Sequence, residues 1–294
     1  RYVYVRNYMP HLIYGQYLNY MFQTPTTQVW KRLYDEGKLA PPKTYFWEPK
    51  PAEEFYDLQA DRDEVHNLAG SPEYQAIVER FRQAHRGHVL KIRDVGFLPE
   101  AEQHRRAAGT TMYEMGHDPK QYPLEKILAM ADLASLRTPG ENAKLQQGLK
   151  DGDSGVRYWA AMGLLIRGRD AVEATRGDLR AALNDPSPSV RIVAARALGQ
   201  YGSDEDLALA LPVLKTLAPP NENGIYVSIE ALNAVDALGT KAAGLADFLR
   251  AMPAEDRNAP ARAKEYVPRL LEKILGEPSK AKASPGGRPK GKRK

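Results

Sequence analysis

The stretch "DGDSGVRYWAAMGLLIRG", residues 151–168, returns without a gap as "DPSPSVRIVAARALGQYG", residues 185–202. Identical pairs in this register include Val156 and Val190, Arg157 and Arg191, Ala160 and Ala194, Leu164 and Leu198, and Gly168 and Gly202. A third copy, "VSIEALNAVDALG", residues 227–239, keeps small and apolar positions but has Ser228 in place of the Arg. Units that recur at this spacing bury their apolar faces against one another, so the repeat predicts an α-solenoid of helical hairpins.

A shorter segment before each copy completes the predicted hairpin. Each of these segments is marked by a pair of leucines: Leu145 and Leu149, Leu179 and Leu183, Leu211 and Leu214. Asp153 and Ser187 stand where the second helix of the hairpin needs an N-cap. The pattern resembles HEAT-type repeats over about residues 141–250. That resemblance implies a surface that binds a protein partner or braces a neighbouring domain.

The region before the repeats has a different pattern, that of a small antiparallel sheet crossed by one long helix. Three short aromatic segments favour strands: "RYVYVRNY", "KTYFWEPK" and "EEFYDL". "SPEYQAIVERFRQAHRGHVLKIRD" favours an amphipathic helix with Ser71 as its N-cap and an apolar stripe of Tyr74, Ile77, Val78 and Phe81. The predicted fold class is therefore α+β, followed by an all-α solenoid.

The composition divides the chain into four predicted parts: the sheet region 1–93, a connector 94–122, the solenoid 123–276 and a basic tail 277–294. The tail carries a net charge of +6 and the rest of the chain a net charge of −1. Pro, Gly, Ser and Lys at this density predict disorder. We expect a solubilising end, and rank binding of nucleic acid or anionic lipid below it, because no basic face continues into the body.

The chain contains no cysteine, which excludes disulfides, thiolate metal sites and Cys nucleophiles within it. No apolar run is long enough to predict a membrane span. The sequence opens on "RYVYV", a strand pattern rather than a signal peptide, so we expect a piece of a longer polypeptide.

Known catalytic motifs are absent from the sequence: it has no phosphate-binding Gly-rich loop, G-x-S-x-G elbow or H-E-x-x-H pair. His85 and His88 are spaced to face one another, but we expect a solvent-facing pair at a helix end rather than a metal site. Asp61, Asp63 and Glu64 lack the spacing of a calcium loop, so we expect them to cap and form turns.

The segment "EEFYDLQADRDEVHNLAGSP", residues 53–72, resembles the C-terminal signature of type I sulfatases. The positions in register are Glu54, Tyr56, Asp57, Leu58, Asp61, Glu64, Asn67, Leu68 and Ala69. Phe55 replaces the usual Leu of that signature and Arg62 the usual Pro. The upstream segment "RYVYVRNYMPHLIYGQYLNYMFQTPTTQVWKRLYDEGKL" is also similar to bacterial members, so the resemblance covers about residues 1–100.

The resemblance implies a hydrolase of sulfate esters or sulfamates, acting on a sulfated polysaccharide or glycosaminoglycan. Such enzymes use a formylglycine, made from the Cys or Ser of a Cys/Ser-x-Pro/Ala-x-Arg motif, beside a bound calcium ion. Neither that motif nor the calcium ligands are identifiable here. We therefore expect the C-terminal part of a sulfatase whose partner is the missing N-terminal catalytic domain, inactive alone, in the periplasm or outside the cell.

Arg6, Tyr8 and His11 are the candidate substrate-binding residues, because they lie at a strand end and turn where a cation or imidazole could bind sulfate or sugar hydroxyls. The alternative is packing against the missing domain, which suits Tyr and His equally well. Asp57, Glu64 and Asn67 are assigned to structure, because capping and turn bonding explain their spacing. The alternative function is a non-enzymatic HEAT-repeat scaffold.

Overall fold

The structure is a computed structural model and describes residues 1–276, most of which are helical. The predicted basic tail, residues 277–294, lies outside the described residues. Two strands are present in residues 1–276, β1 (Tyr2–Arg6) and β2 (Glu53–Asp57). The α-helices are α1 (Asn19–Phe22), α2 (Pro25–Asp35), α3 (Gln75–Ile92), α4 (Glu100–Arg106), α5 (Met112–His117), α6 (Leu124–Leu136), α7 (Asn142–Gly148), α8 (Ser154–Arg167), α9 (Arg169–Ala174), α10 (Arg176–Ala182), α11 (Pro188–Tyr201), α12 (Asp204–Leu217), α13 (Pro220–Asn223), α14 (Ile225–Leu238), α15 (Ala246–Ala251) and α16 (Tyr266–Leu275). None of these helices is both long and apolar enough to cross a membrane.

Strands β1 and β2 form an antiparallel pair in which Tyr2 lies opposite Asp57 and Arg6 lies opposite Glu53. Both strands were predicted, and their antiparallel pairing is confirmed. The third predicted strand, "KTYFWEPK", is wrong. Its centre is a 3-10 turn, Tyr45–Trp47, because the aromatic rings pack locally instead of extending: Trp47 is buried and meets the Trp30 ring edge-on at 5.3 Å.

Helix α3 packs across this sheet through aromatic side chains. Phe55 is fully buried, stacks on Tyr2 at 5.2 Å and meets the edge of Phe81 at 5.7 Å. Val78 on the same helix face is also fully buried. The predicted long helix is therefore confirmed. Its predicted cap is not, because the Ser71 side chain accepts no capping hydrogen bond and a 3-10 turn precedes the helix.

The helical repeat array is confirmed, with α8, α11 and α14 as the second helices of successive repeats, packed side by side. Asp153 caps α8 as predicted, accepting hydrogen bonds from the amides of Gly155 and Val156. Ser187 occupies the corresponding position before α11, but its side chain makes no cap bond. Helix α6 packs on α8 and α16 packs on α14, so these helices cover the two ends of the array.

An ion pair joins the first two repeats. The Arg157 guanidinium donates to both carboxylate oxygens of Asp185, at 2.6 and 2.9 Å. In the register that places Ser228 at the position of Arg191, the position equivalent to Asp185 is Glu222, which is exposed. The Nε of Arg191 is buried and has no hydrogen-bond partner among residues 1–276.

Residues 94–122 pack on the repeats and share their core. Phe97 and Tyr122 are buried in the same apolar cluster as Ile127 of α6. Trp159 of α8 donates from its indole Nε1 to the Phe97 carbonyl oxygen at 2.7 Å. The sheet region joins this cluster through Tyr8, so the strand end lies directly against the repeats.

Glu102 of α4 ties the same segment to the start of α8. This carboxylate is 2% exposed and accepts hydrogen bonds from the Arg106 Nε at 2.8 Å, from Arg105, and from the Ser154 hydroxyl. These bonds hold the pKa of Glu102 at about 2, against the cost of burial, which alone would raise it. A buried carboxylate therefore helps to fix the connector on the solenoid.

Candidate functional site

The three predicted substrate-binding residues lie in two different depressions of the surface. Arg6 and Tyr8 line a cleft between the sheet, α3 and α6, with a volume of about 500 Å³. His11 lies in a separate cavity of about 490 Å³ between the turn after β1 and the repeats, named here the inner cavity. The structure brings Arg6 and Tyr8 together but does not bring His11 to them.

The Arg6 side chain is 4% exposed, and its guanidinium is already bonded within the chain. It donates to the Ala52 carbonyl oxygen at 2.9 Å and the Ser135 hydroxyl at 2.6 Å, and lies 3.3 Å from an Asp132 carboxylate oxygen. Arg6 therefore fastens the end of β1 to α6. A sulfate group reaching it would have to compete with these partners.

Tyr8 is held by the same cluster. Its hydroxyl donates to Asp132 at 3.3 Å, its ring meets the edge of Phe97 at 4.8 Å, and the Arg6 guanidinium carbon lies 4.5 Å from its ring centroid. Burial raises the pKa of Tyr8 and the neighbouring Asp132 raises it further, so the phenol stays protonated at neutral pH. These contacts pack Tyr8 within the chain, against the connector and α6.

The rest of this cleft is also internally paired. Arg82 donates to both carboxylate oxygens of Glu53, at 2.7 and 2.8 Å, and the Tyr4 hydroxyl donates to Glu53 at 2.7 Å. His85 is half-buried between the rings of Tyr4 and Tyr8, and burial followed by the charge of Arg6 lowers its pKa. The expectation of a solvent-facing histidine pair is therefore wrong for His85, because its ring packs between aromatic side chains. It is confirmed for His88, which is exposed.

Asn67, Asp57 and Asp61 of the sulfatase-like signature form local hydrogen bonds. Asn67 accepts hydrogen bonds from the amides of Phe55 and Ala69 and donates to the Glu53 carbonyl oxygen, which ties the loop after β2 back to the strand. Asp57 pairs with Arg1 and accepts the Gln59 amide. Asp61 accepts the amides of Val65 and His66, as expected for a turn. Glu64 is exposed at a left-handed turn position with φ 53°.

These arrangements do not fit a calcium site. Residues 1–276 contain no group of three or more His, Asp or Glu side chains placed to hold a metal ion. Asp57 and Asp61 already accept guanidinium or amide hydrogen bonds, so their oxygens point at these donors rather than at a shared centre.

His11 in the inner cavity has no internal partner for either ring nitrogen, although both nitrogens are inaccessible to solvent. Burial is the main cause that lowers its pKa to about 3, and Arg196, Arg137 and Lys50 lower it in the same direction. The imidazole is therefore neutral at physiological pH, with one donor nitrogen and one acceptor nitrogen available.

The inner cavity contains polar residues that we did not predict: Tyr158, Arg196, Glu230 and Asn233. The Oε1 atom of Glu230 is buried without a partner, and burial raises the pKa of this carboxyl to about 7, although Ser189 and the Ala101 backbone act on it in the opposite direction. Arg196 donates from Nε to Gln200 at 3.1 Å and makes no ion pair with another residue of 1–276. Burial lowers the pKa of Arg196.

Comparison of the repeats with one another gives the signal that identifies these positions. In the repeat register, Arg196 and Asn233 occupy the place of Met162, and Glu230 occupies the place of Trp159 and Val193. Met162 and Val193 line the inner cavity together with these polar residues, and the equivalent positions of the first repeat are apolar. Polar replacement at equivalent inner positions could therefore have been recognised from the sequence.

Two comparisons with known proteins each match part of the chain. The family model for HEAT repeats matches residues 142–233. An "Ulvan-active sulfatase" from Formosa agariphila is 38% identical over 103 residues, which is 35% of this chain and 17% of that protein. The matched part of the chain thus spans about a sixth of the length of that relative. No solved structure matches the chain.

Proposed function

We propose that this chain is the C-terminal part of a sulfatase and that residues 1–93 brace a catalytic domain encoded upstream. The observation that carries the proposal is the 38% identity over 103 residues to a sulfatase, of which those residues make up 17%. In this proposal the substrate is a sulfated polysaccharide, and the formylglycine and calcium ion belong to the upstream domain.

The contacts of the signature residues support a bracing role. Asn67 and Asp57 close the loop after β2 and the end of the sheet, and Arg6 fastens that sheet to α6. A motif whose side chains are used in this way preserves the shape of a subdomain rather than performing a reaction. Such a subdomain can hold a neighbouring domain in a fixed orientation.

Exposed apolar residues in the same region support docking of another domain. Neither α1 nor α2 contains a buried residue, and Leu18, Tyr20 and Val29 are 48, 72 and 43% exposed. Clusters of exposed apolar side chains often mark contact surfaces. We infer that this face, residues 18–29, meets the catalytic domain.

Sulfate release tests the proposal. The coding sequence upstream should contain a Cys/Ser-x-Pro/Ala-x-Arg motif, and the longer polypeptide should release sulfate from ulvan or another sulfated polysaccharide. Replacing the Cys or Ser of that motif by Ala should abolish release, and the present chain alone should release none. Absence of the motif upstream, or turnover by this chain unaided, would contradict the proposal.

A non-enzymatic scaffold is the second candidate, favoured by the match of residues 142–233 to HEAT repeats. In that case the longer polypeptide would release no sulfate, and the repeats would retain a protein partner when residues 1–93 are unfolded by mutation. The two candidates therefore differ in a single activity measurement.

A further inference from the structure

We propose that the inner cavity binds an acidic sugar unit, with Arg196 pairing with its carboxylate or sulfate group and His11, Glu230 and Asn233 bonding its hydroxyls. This would be a non-catalytic site on the repeats. The choice of a sugar among acidic ligands rests on the proposed function, whereas the need for an anion and several hydroxyls rests on the cavity itself.

The first argument is unmet hydrogen bonding. Both ring nitrogens of His11 and the Oε1 of Glu230 are inaccessible to solvent and have no partner in residues 1–276. A buried polar group without a partner costs about 1–3 kcal/mol. Sugar hydroxyls both donate and accept, so a few of them in a small space can satisfy an imidazole, a carboxyl group and the free Oδ1 of Asn233, whose Nδ2 is bonded to Ile229.

The second argument is charge. Besides His11 and Glu230, the charged groups lining the cavity are Arg196, Asp236 and Lys273. Asp236 and Lys273 neutralise one another in an ion pair at 2.5 Å. Arg196 makes no ion pair with a residue of 1–276, although the charge of Asp236 acts on it, so its guanidinium can form a bidentate bond with a planar or tetrahedral anion.

The third argument is the origin of these polar side chains. The repeats pack well with Met162 and Val193 at the equivalent positions, so Arg196 and Glu230 are not needed for packing. Placing a cation and a carboxyl group on this face costs desolvation free energy that the apolar alternatives avoid. Retaining costly polar groups at a concave surface is typical of a binding site.

Size and shape agree with a sugar. The volume of about 490 Å³ lies within the range of small-molecule sites, about 300–1,000 Å³. The wall also includes Tyr17, Tyr158 and Ile192, which offer ring and aliphatic surfaces to the C–H face of a pyranose. The cavity therefore combines an anion partner, hydroxyl partners and an apolar wall.

Calorimetric titration of the full chain tests the proposal with glucuronic acid, glucose 6-sulfate, glucose and inorganic sulfate as probes. We expect at least one acidic sugar to bind about tenfold or more tightly than glucose or sulfate alone. Arg196→Met restores the residue of the first repeat and should reduce that affinity about tenfold or more. Arg191→Met is the matched control on the same helix outside the cavity, and it should leave binding unchanged.

Glu230→Val introduces the residue found at this position in the second repeat. It should lower the affinity for the acidic sugar but leave any binding of inorganic sulfate unchanged. Thermal unfolding of each variant identifies loss of fold, so a misfolded variant is replaced by Arg196→Gln. Equal binding of glucose and the acidic sugars, no binding of any sugar, or retained affinity in folded Arg196 variants would overturn the inference. These titrations need no sulfatase activity, so their failure is distinct from failure of sulfate release.

Discussion

Replacement of Arg157 by Met should destabilise the repeats far more than the same replacement of Arg191. Arg157 and Asp185 are 14 and 8% exposed and share two hydrogen bonds, at 2.6 and 2.9 Å. Arg157 also donates to the Asp151 carbonyl oxygen at 2.8 Å. Removing it leaves the Asp185 carboxylate buried, with the Ser187 amide as its remaining donor among residues 1–276.

The expected magnitude follows from this loss. Breaking a buried ion pair by removing one partner costs about 3–5 kcal/mol, and the partial exposure of Arg157 places this case near the lower end, at about 3 kcal/mol. At Arg191 the Nε is buried without a partner, so Met removes an unsatisfied donor. We expect that change to lie within about 0.5 kcal/mol of zero or to stabilise.

Urea unfolding followed by far-UV circular dichroism measures both variants, and the slope of the transition checks that each unfolds as the wild type does. Asp185→Asn and the double variant complete a mutant cycle, which should return a coupling free energy of about 1–3 kcal/mol. Equal destabilisation by the Arg157 and Arg191 variants would refute the assignment of this pair as the bond between repeats.

Three further predictions concern the connector and the inner cavity. Because folding lowers the pKa of Glu102 to about 2, the ionised carboxylate stabilises the fold fully above about pH 4.5, and this stabilisation is lost as the pH falls toward 2. In unfolding measured as a function of pH, Glu102→Gln should therefore reduce the loss of stability between about pH 4.5 and 2 by about 3 kcal/mol. An unchanged loss in the variant would count against the hydrogen-bond network of Glu102. The pH dependence due to Glu230 has the opposite sign: folding raises its pKa to about 7, so stability falls as the pH rises from about 4.5 to 7. Glu230→Gln should therefore stabilise the chain by about 2–3 kcal/mol at about pH 8 and hardly at all at about pH 4. Equal effects at both pH values would show that burial does not raise this pKa. A fragment of residues 94–276 should unfold at higher temperature than one of residues 123–276, because only the longer one retains the Phe97 carbonyl that accepts the Trp159 indole; equal midpoints would mean that the connector adds nothing to the core.

The repeats could be predicted from the sequence because their determinants are local and recur. Val156, Ala160 and Leu164 lie on one helix face, and their return at the same spacing fixes both the helix and its neighbour. Strands β1 and β2 could also be predicted from the sequence, because the alternation of side chains and the aromatic content that favour a strand lie within five residues. "KTYFWEPK" has the same composition, but tertiary packing of Trp47 overrode its strand propensity.

The candidate site could not be predicted in the same way, because its contacts join distant parts of the chain. Arg6 is bound by Ser135, and His11 lies in a cavity with Arg196 and Glu230. A local sequence pattern cannot show that the turn after β1 packs against repeat helices that lie far away in the sequence. The sequence did carry part of the answer, in the polar residues that interrupt an otherwise apolar position of the repeat.

Complementation tests the central claim most directly. The segment encoded upstream is expressed separately, and its sulfate release from a sulfated polysaccharide is measured with and without this chain. The same measurement is made with two matched variants of this chain, Tyr20→Lys and Tyr113→Lys, because the two tyrosines are 72 and 71% exposed in the wild type. We expect this chain to raise sulfate release, Tyr20→Lys to weaken that effect and Tyr113→Lys to leave it intact. Sulfate release that is the same with and without this chain would contradict the account.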